Sequence, residues 1–162
     1  MKGISSKEIE VISYLELEDK LFFKREDIKK FFKNDNEMNV YIHRLIKKQR
    51  ILKLNKTKYY LIPVKAYENK WSEHPFIIID EIFNSKNYYI GGMASAYFYK
   101  LIDQIPKQII VYCKNRQGTQ KIFDIIIAYK RRKEVKRYVT KKLRNHSFNI
   151  EPKNIAKKWL KE

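Results

Sequence analysis

The sequence predicts an α+β fold built from two domains. Two observations support this prediction: helical and extended patterns alternate along the chain, and residues 64–74, which follow Pro63, have only weak periodicity. At 162 residues the chain is long enough for two small domains, each burying a modest core. We therefore expect domains at residues 1–64 and 75–162, joined by a linker at residues 65–74.

The first domain is predicted to begin with a helix over about residues 6–18. Ser5-Ser6-Lys7-Glu8 has the pattern of a capping box, with a hydroxyl residue followed three positions later by glutamate. The apolar run Leu21-Phe22-Phe23 indicates a short strand. Arg25-Glu26-Asp27 then opens a second helix, because acidic side chains favour the positive end of the helix dipole. The turn formers of residues 33–36 end that helix and lead into a third after only a few residues, which is the linker length that a helix-turn-helix needs.

A basic helix at residues 36–50 and a hairpin complete the first domain. Its apolar positions recur at helical spacing and are Met38, Tyr41, Ile42 and Leu45. Extended runs at residues 51–54 and 59–62 flank the polar turn at 55–58. The order of helix, short strand, helix, tight turn, basic helix and hairpin predicts an N-terminal winged helix-turn-helix. The alternative is a small α+β domain that happens to be basic.

Charge separates the basic helix from the residues before it. Residues 1–35 contain eight Lys or Arg and eight Asp or Glu, whereas residues 36–66 contain eight Lys or Arg and a single acidic residue, Glu37. The last segment, residues 129–162, adds thirteen basic and three acidic side chains. A net charge of +18 for the chain implies a polyanionic partner, and nucleic acid is the leading candidate.

Side chains on the basic helix match what base reading requires. Asn39, His43 and Lys47 place hydrogen-bonding groups at three- and four-residue spacing, with Asn36 and Arg44 beside them. Arg44 suits a guanine and Asn39 an adenine. Taken alone, His43 is equally well explained as a solvent-exposed histidine. Lysines expected to contact phosphates instead are Lys48, Lys53, Lys56 and Lys58.

The second domain is predicted to be a small α/β domain in which helices cover a sheet. Pro75 suits the first position of an apolar helix that ends near residues 84–87. The segments that follow are a strand at 88–90, a helix at 93–102 and strands at 108–113 and 122–129.

The basic C-terminal segment is predicted to be helical. Val135, Tyr138, Val139 and Leu143 fall on one helical stripe within residues 130–144, and Pro152 precedes a final helix. This segment offers a second basic surface that would share the phosphate contacts. It consists of Lys130, Arg131, Arg132, Lys136, Arg137 and Lys141. The alternative is a solvated charged face without a specific partner.

No pattern in the sequence indicates catalysis. Gly91-Gly92-Met93-Ala94-Ser95 lacks the spacing of a phosphate-binding loop, so the two glycines are expected at a positive φ or at a close helix contact. No Asp-x-Asp pair offers two-metal coordination, and the three histidines lack metal-ligand spacing. We expect no enzymatic activity, no metal and no cofactor.

The sequence predicts a cytoplasmic protein without a membrane partner. No apolar run approaches the ~20 residues that span a bilayer, and residues 1–5 lack the apolar core of a signal peptide. A single cysteine, Cys113, excludes an internal disulfide and is expected to be a small buried side chain.

Part of the second domain resembles a known family. Tyr88-Tyr89-Ile90-Gly91-Gly92-Met93-Ala94-Ser95-Ala96-Tyr97-Phe98 is followed by Leu101-Ile102-Asp103-Gln104-Ile105-Pro106 and the strand Ile109-Ile110-Val111. This order resembles the tyrosine-containing strand, small-residue helix, proline and strand of AbiEi-type antitoxins of type IV toxin-antitoxin systems. These antitoxins also begin with a winged helix, so the resemblance covers roughly residues 5–129.

The resemblance implies a transcriptional autoregulator. Its first domain would bind operator repeats in double-stranded DNA, with residues 36–48 as the reading helix. Its second domain would counteract a nucleotidyltransferase-like toxin without a stable complex. We therefore expect a sequence-specific DNA-binding regulator, an antitoxin-type autorepressor. The alternative is a protein-interaction module with non-specific affinity for nucleic acid, and a neighbouring nucleotidyltransferase gene would favour the first.

Overall fold

The protein is α+β, as predicted, and forms two compact units. The structure, a computed structural model, describes residues 3–63 and 73–161. The units comprise Met1–Glu73 and His74–Glu162. Apart from residues 73 and 74, the predicted linker lies outside the described residues. None of the helices within the described ranges combines the length and the apolar character that crossing a membrane requires.

The described part of the first unit follows the predicted order of elements. These are α1 (Ser6–Leu17), β1 (Phe22–Lys24), α2 (Arg25–Ile28), α3 (Asp35–Lys47), β2 (Ile51–Lys53) and β3 (Lys58–Leu61). A 3-10 turn at Lys29–Phe31 continues α2. The strands form an antiparallel sheet in the order β1-β3-β2, so the predicted strand after α1 does pair with the hairpin.

The core of the first unit lies between its helices and this sheet. Three of the four predicted apolar positions of α3, Met38, Ile42 and Leu45, are buried, and Tyr41 packs partly exposed against Phe32 with ring centroids 5.3 Å apart. The other buried members of this core are Val11, Ile12, Leu15, Phe23, Ile28, Ile51, Tyr59 and Leu61.

Glu8 has two structural roles, because it caps the start of α1 and pairs with a lysine at the end of α3. It completes the predicted capping box, because its Oε2 accepts a hydrogen bond from the Ser5 N–H at 2.6 Å while the Ser5 Oγ accepts from the Glu8 N–H. The same Oε2 lies 2.6 Å from Nζ of Lys48, the residue that caps the C-terminus of α3. The fully buried Glu8 side chain thereby joins α1 to the end of α3.

The environment of Glu8 sets its protonation state. Burial acts to raise the pKa of its carboxyl, but the hydrogen bond from Lys48, together with those from Ser5, outweighs burial and lowers the pKa below the ordinary 4.5. The folded protein therefore contains a charged, paired carboxylate.

The described part of the second unit contains a six-stranded mixed sheet in the order β6-β7-β5-β4-β9-β8. Pairs β4–β9 and β5–β7 are parallel, and the other pairs are antiparallel. Its helices are α4 (Pro75–Phe83), α5 (Met93–Phe98) and α6 (Lys153–Ala156), the last continued by a 3-10 turn at Lys157–Lys161. Its strands are β4 (Tyr88–Gly91), β5 (Gln108–Cys113), β6 (Gly118–Ile122), β7 (Ile125–Arg131), β8 (Val139–Leu143) and β9 (His146–Ile150).

The start of α4 and the burial of Cys113 agree with the sequence. Pro75 occupies the first turn of α4, and His74 caps it by accepting a hydrogen bond from the Phe76 N–H at 3.2 Å. Six of the nine residues of this helix are buried and the other three are partly buried, which is typical of a helix that is apolar on most sides. Cys113 is also buried, and burial raises the pKa of its thiol, which makes the thiolate less accessible.

The predicted helix at residues 130–144 is wrong. Lys130 and Arg131 end β7, and residues 139–143 form β8, which pairs with β9. Val139 lies opposite Ile150 and Leu143 opposite His146 across this antiparallel ladder. The spacing of the four apolar residues fits a helix, and it fits a loop followed by a strand equally well. Pairing with β9, which is not encoded locally, decides between the two.

Other boundaries shift where single residues take a left-handed backbone. The strand predicted at 122–129 is divided by Phe123, whose φ of +52° reverses the chain between β6 and β7. The helix predicted at 93–102 ends at Phe98, because Lys100 has a φ of +56°. Neither position is a glycine, so the sequence contains no signal for either turn.

Gly91 ends β4 and Gly92 precedes α5; Gly92 has the expected positive φ, whereas the close contact at Gly91 is with side chains outside the helices. Gly92 has a φ of +69° and caps α5. A Cβ at Gly91 would lie 2.6 Å from the ring of Tyr112 and 2.8 Å from the carboxyl group of Glu151. Backbone freedom therefore explains Gly92, and close packing explains Gly91.

We expect Lys48→Met to destabilise the first unit. The change leaves the Glu8 carboxylate buried without its cation, which costs about 1–3 kcal/mol. Urea denaturation, combined with hydrogen exchange of the α1 and α3 amides, measures the loss. The double variant Glu8→Gln/Lys48→Met should recover part of it, and equal stability of the single and double variants would contradict the role of the pair.

The pH dependence provides an independent check of this pair. Because the folded pKa of Glu8 is lowered, its contribution to stability is complete above pH 4.5 and is lost as the pH falls through the folded value. This part of the acid dependence should be absent from the Glu8→Gln variant.

Gly91→Ala should destabilise the second unit by about 1–3 kcal/mol, because the new methyl group forces Tyr112 or Glu151 to move. Thermal melting followed through the tyrosine signal in near-ultraviolet circular dichroism would show the loss. Gly3→Ala is the matched control, since a Cβ there meets no atom within 4 Å. Identical melting of the two variants would refute the packing argument.

Candidate nucleic-acid interface

Two side chains fix the beginning of α3. The Oδ1 atom of Asn34 accepts a hydrogen bond from the Glu37 N–H at 2.9 Å, and the carboxylate of Glu37 accepts one from the Lys33 N–H at 2.8 Å. These bonds satisfy amide groups that a helix start leaves without partners. The preceding turn and α3 therefore have a defined relative orientation.

The end of α3 is equally well defined, although three residues earlier than predicted. Gln49 has a φ of +57°, and its N–H donates to the carbonyl of Ile46 at 2.9 Å. The Arg50 N–H donates to the carbonyl of Leu45, also at 2.9 Å. This is a Schellman motif with glutamine at the position that glycine usually occupies. It directs the chain from α3 into β2.

The face of α3 opposite the core is polar and exposed. It carries all five residues predicted to read bases: Asn36, Asn39, His43, Arg44 and Lys47. Val40 lies on the same face and is 47% exposed, although it is apolar. The Arg44 guanidinium lies 5.4 Å from the centroid of the Tyr41 ring, a cation–π contact that favours one orientation of this long side chain. We call Asn36, Asn39, Val40, His43, Arg44 and Lys47 the polar face of α3.

The turn between β2 and β3 is held by Asn55. Its Oδ1 accepts hydrogen bonds from the N–H groups of Thr57 and Lys58, both at 2.9 Å, which is an Asx-type turn. Lys53 and Lys56 are exposed around this turn, and Lys58 is partly exposed. The hairpin therefore presents ammonium groups from a fixed backbone.

Lys48 differs from the other lysines predicted to contact phosphates. Its side chain is only 18% exposed, and its ammonium is paired with the buried Glu8. The structure assigns it to the packing of α1 against α3. That contact pairs residues forty positions apart, so the sequence pattern contains no indication of it.

The six residues predicted as a second basic surface are all exposed, but they do not lie on a helix. Lys130 and Arg131 end β7, Lys141 lies in β8, and the remaining three, Arg132, Lys136 and Arg137, lie in the connection between these strands. Glu134 is in the same connection and pairs with Lys136 at 3.0 Å. Both partners are largely exposed, so this pair contributes little.

Sequence reasoning missed three tyrosines beside this basic surface. Tyr89 lies directly opposite Tyr112 in the β4–β5 ladder, and their rings stack with centroids 4.9 Å apart. Tyr138 stacks on Tyr89 at 6.4 Å, and the guanidinium of Arg132 lies 4.9 Å from the ring of Tyr112. Burial, with added effects of Glu151 and Tyr112, raises the pKa of Tyr89, whereas Arg132 and Arg137 oppose that rise. The strand prediction at 88–90 implied only that Tyr88 and Tyr89 face opposite ways.

A buried polar cluster around Glu151 was also missed. Its Oε2 accepts hydrogen bonds from the Gly92 N–H at 3.1 Å and from Trp159 Nε1 at 2.9 Å, and the Tyr99 hydroxyl donates to its backbone carbonyl at 2.9 Å. The Ser95 Oγ lies 3.3 Å from the same Oε2 and donates to the Gly92 carbonyl. These contacts join β9, α5 and the C-terminal turn. Within the described ranges, no three His, Cys, Asp or Glu side chains converge as a metal site requires.

The chain matches no family model and no curated protein. Its fold is similar to the crystal structure of the RV2827C protein from Mycobacterium tuberculosis, with a TM-score of 0.56 and 12% sequence identity. The similarity covers 81% of this chain and 47% of that chain, so this chain spans about half the length of the protein it matches. At this level of identity the similarity supports the fold alone.

Proposed function

We propose that the protein is a sequence-specific DNA-binding transcriptional regulator, an antitoxin-type autorepressor, whose first unit is a winged helix-turn-helix. The observation that carries this proposal is the polar face of α3, exposed next to the lysine-bearing hairpin of β2 and β3. The first unit would dock α3 in the major groove of double-stranded operator DNA, and the hairpin would serve as the wing.

The side chains on the polar face of α3 suit the edges of base pairs. Arginine donates two hydrogen bonds to guanine, and asparagine both donates to and accepts from adenine, which gives Arg44 and Asn39 distinct targets. Val40 has a use here as well, because an apolar side chain contacts the methyl group of thymine. Val40 is 47% exposed, so its methyl groups are accessible for such a contact.

Phosphate contacts would come from the hairpin of β2 and β3. Lys53 and Lys56 extend from a turn that Asn55 holds in one conformation, so little backbone entropy is lost when they bind. Lysine is a point charge without base specificity in this setting, and these contacts supply affinity and register. Because Lys48 is paired with Glu8, we do not expect it to contact a phosphate of the DNA.

The antitoxin part of the proposal is supported by the resemblance to AbiEi-type antitoxins. The residues that carry it form β4, α5 and β5, with Gly91 and Gly92 at the junction of β4 and α5. The functional partner would be a nucleotidyltransferase-like toxin, and binding to operator DNA implies a cytoplasmic location. The protein itself would have no catalytic role.

Arg44→Ala should reduce discrimination between operator and random DNA by ~1–3 kcal/mol, because it removes a bidentate contact to one base. Lys56→Ala should instead weaken binding to every duplex similarly and lower the salt slope by about 1. Fluorescence anisotropy with an operator duplex and a shuffled duplex, over a series of salt concentrations, measures both effects. Equal loss on both duplexes for Arg44→Ala would exclude base reading by this residue.

A footprint of the protein on its own upstream region tests the regulatory role. We expect protection of repeated sequences that persists when the salt concentration is raised, since base contacts supplement the salt-sensitive phosphate contacts. The alternative function, a protein-interaction module with non-specific nucleic-acid affinity, is favoured by the exposed basic residues of 130–141. It predicts uniform coverage that disappears at the higher salt concentration.

A further inference from the structure

Three tyrosines of the second unit stack in a column that ends at the surface. Tyr112 is buried, Tyr89 is partly buried on top of it, and Tyr138 is 39% exposed at the outer end. The planes of successive rings are inclined by only 26° and 20°. A flat, exposed aromatic ring is thus supported from behind by two others.

The column holds the outer ring in position before any ligand binds. Tyr89 and Tyr112 are paired residues of adjacent strands, and Tyr138 directly precedes β8. A tyrosine has two side-chain torsions, so stacking fixes most of its freedom in the unbound protein. A ligand that stacks on Tyr138 therefore orders little further.

Basic side chains lie beside the column, and Arg132 and Arg137 both act electrostatically on Tyr89. Residues 130–137 contain six basic side chains, all exposed, and their single acidic residue is Glu134, which pairs with Lys136. Arg132 contacts the ring of Tyr112, and Arg137 adjoins Tyr138 in the chain. The basic residues are Lys130, Arg131, Arg132, Lys133, Lys136 and Arg137. Lys130 lies opposite Tyr112 and shares its face of the sheet, whereas Arg131 lies opposite Cys113 on the other face and is not part of the site.

We propose that the tyrosine column and residues 130–137, apart from Arg131, form a binding site for single-stranded nucleic acid. An unpaired base stacks on the outer face of Tyr138 and extends the column, while the basic side chains contact the adjoining phosphates. Aromatic platforms combined with basic grooves are the usual means of binding single strands, because every base has a face that can stack. This site is separate from the polar face of α3, which would read base edges in a duplex.

The two parts of the site, the cations and the exposed ring of Tyr138, together favour a single strand over other ligands with negative charge. A double helix covers the faces of its bases, so it engages the cations but not Tyr138. The acidic side chains of a peptide likewise pair with the cations, but they provide no aromatic ring to stack on Tyr138. A single strand supplies both the phosphates and the base, in RNA and in DNA alike.

Fluorescence anisotropy of the full chain tests the proposal with labelled homopolymeric single strands of roughly a dozen nucleotides, as RNA and as DNA, and with a duplex of shuffled sequence. Tyr138→Ala should weaken binding to single strands by roughly 5- to 100-fold and leave duplex binding unchanged. Tyr138→Phe, which retains the ring, should bind within about twofold of the parent. The RNA and DNA arms identify which strand is preferred.

Two further variants separate stacking from packing and from charge. Tyr138→Leu retains apolar bulk but has no aromatic face, so it should behave as Tyr138→Ala in binding, while thermal melting shows whether either variant disturbs the fold. Arg137→Gln should weaken single-strand binding and lower its salt slope, whereas Lys158→Gln, an exposed lysine of the C-terminal turn, removes the same charge and should have a smaller effect.

Several outcomes would overturn the proposal: no binding of single strands by the parent, unchanged affinity in a folded Tyr138→Ala variant, or equal loss on single strands and duplex. Equal loss on single strands and duplex would indicate a patch that binds phosphates without base stacking. None of them bears on operator recognition, which is measured separately through Arg44, so the two proposals can fail independently.

Discussion

A buried carboxylate needs partners, and this requirement organises both units. Removing Glu8 from water is tolerable because Lys48 and the amide of Ser5 compensate its charge, and the consequence is that α1 and the end of α3 stay together. Glu151 has the same role in the second unit, where Gly92 and Trp159 donate to it. In each unit, polar groups distant in sequence thereby fix the position of a helix.

This arrangement separates structural from exposed charge. Lys48 is withdrawn into a pair, whereas Lys53 and Lys56 remain exposed on the hairpin. Exposed cations without acidic neighbours keep their full charge for a polyanion, although they repel each other in the unbound protein. A net charge of +18 is compatible with folding because the exposed lysines and arginines carry it at the surface.

Features encoded in adjacent residues could be predicted, and features that depend on distant pairing could not. The capping box at Ser5, Pro75 at a helix start and the apolar stripe of α3 are local, and the structure shows all three. Spacing could not distinguish a helix at 130–144 from β8, because the pairing with β9 decides. Nor could it give the end of α3, where glutamine replaces glycine at the left-handed position, or the stacking of Tyr89 on Tyr112, which depends on strand register.

The two basic surfaces differ in what they offer to a nucleic acid besides charge. The polar face of α3 presents hydrogen-bonding groups on a convex rod that fits a groove, and such groups discriminate among base edges. The surface around Tyr138 presents an aromatic plane, which suits the face of a base and would discriminate little among bases. Charge alone does not separate them, since both attract phosphates. The geometry of the uncharged groups does separate them. A duplex exposes the edges of its bases and hides their faces, whereas a single strand exposes both.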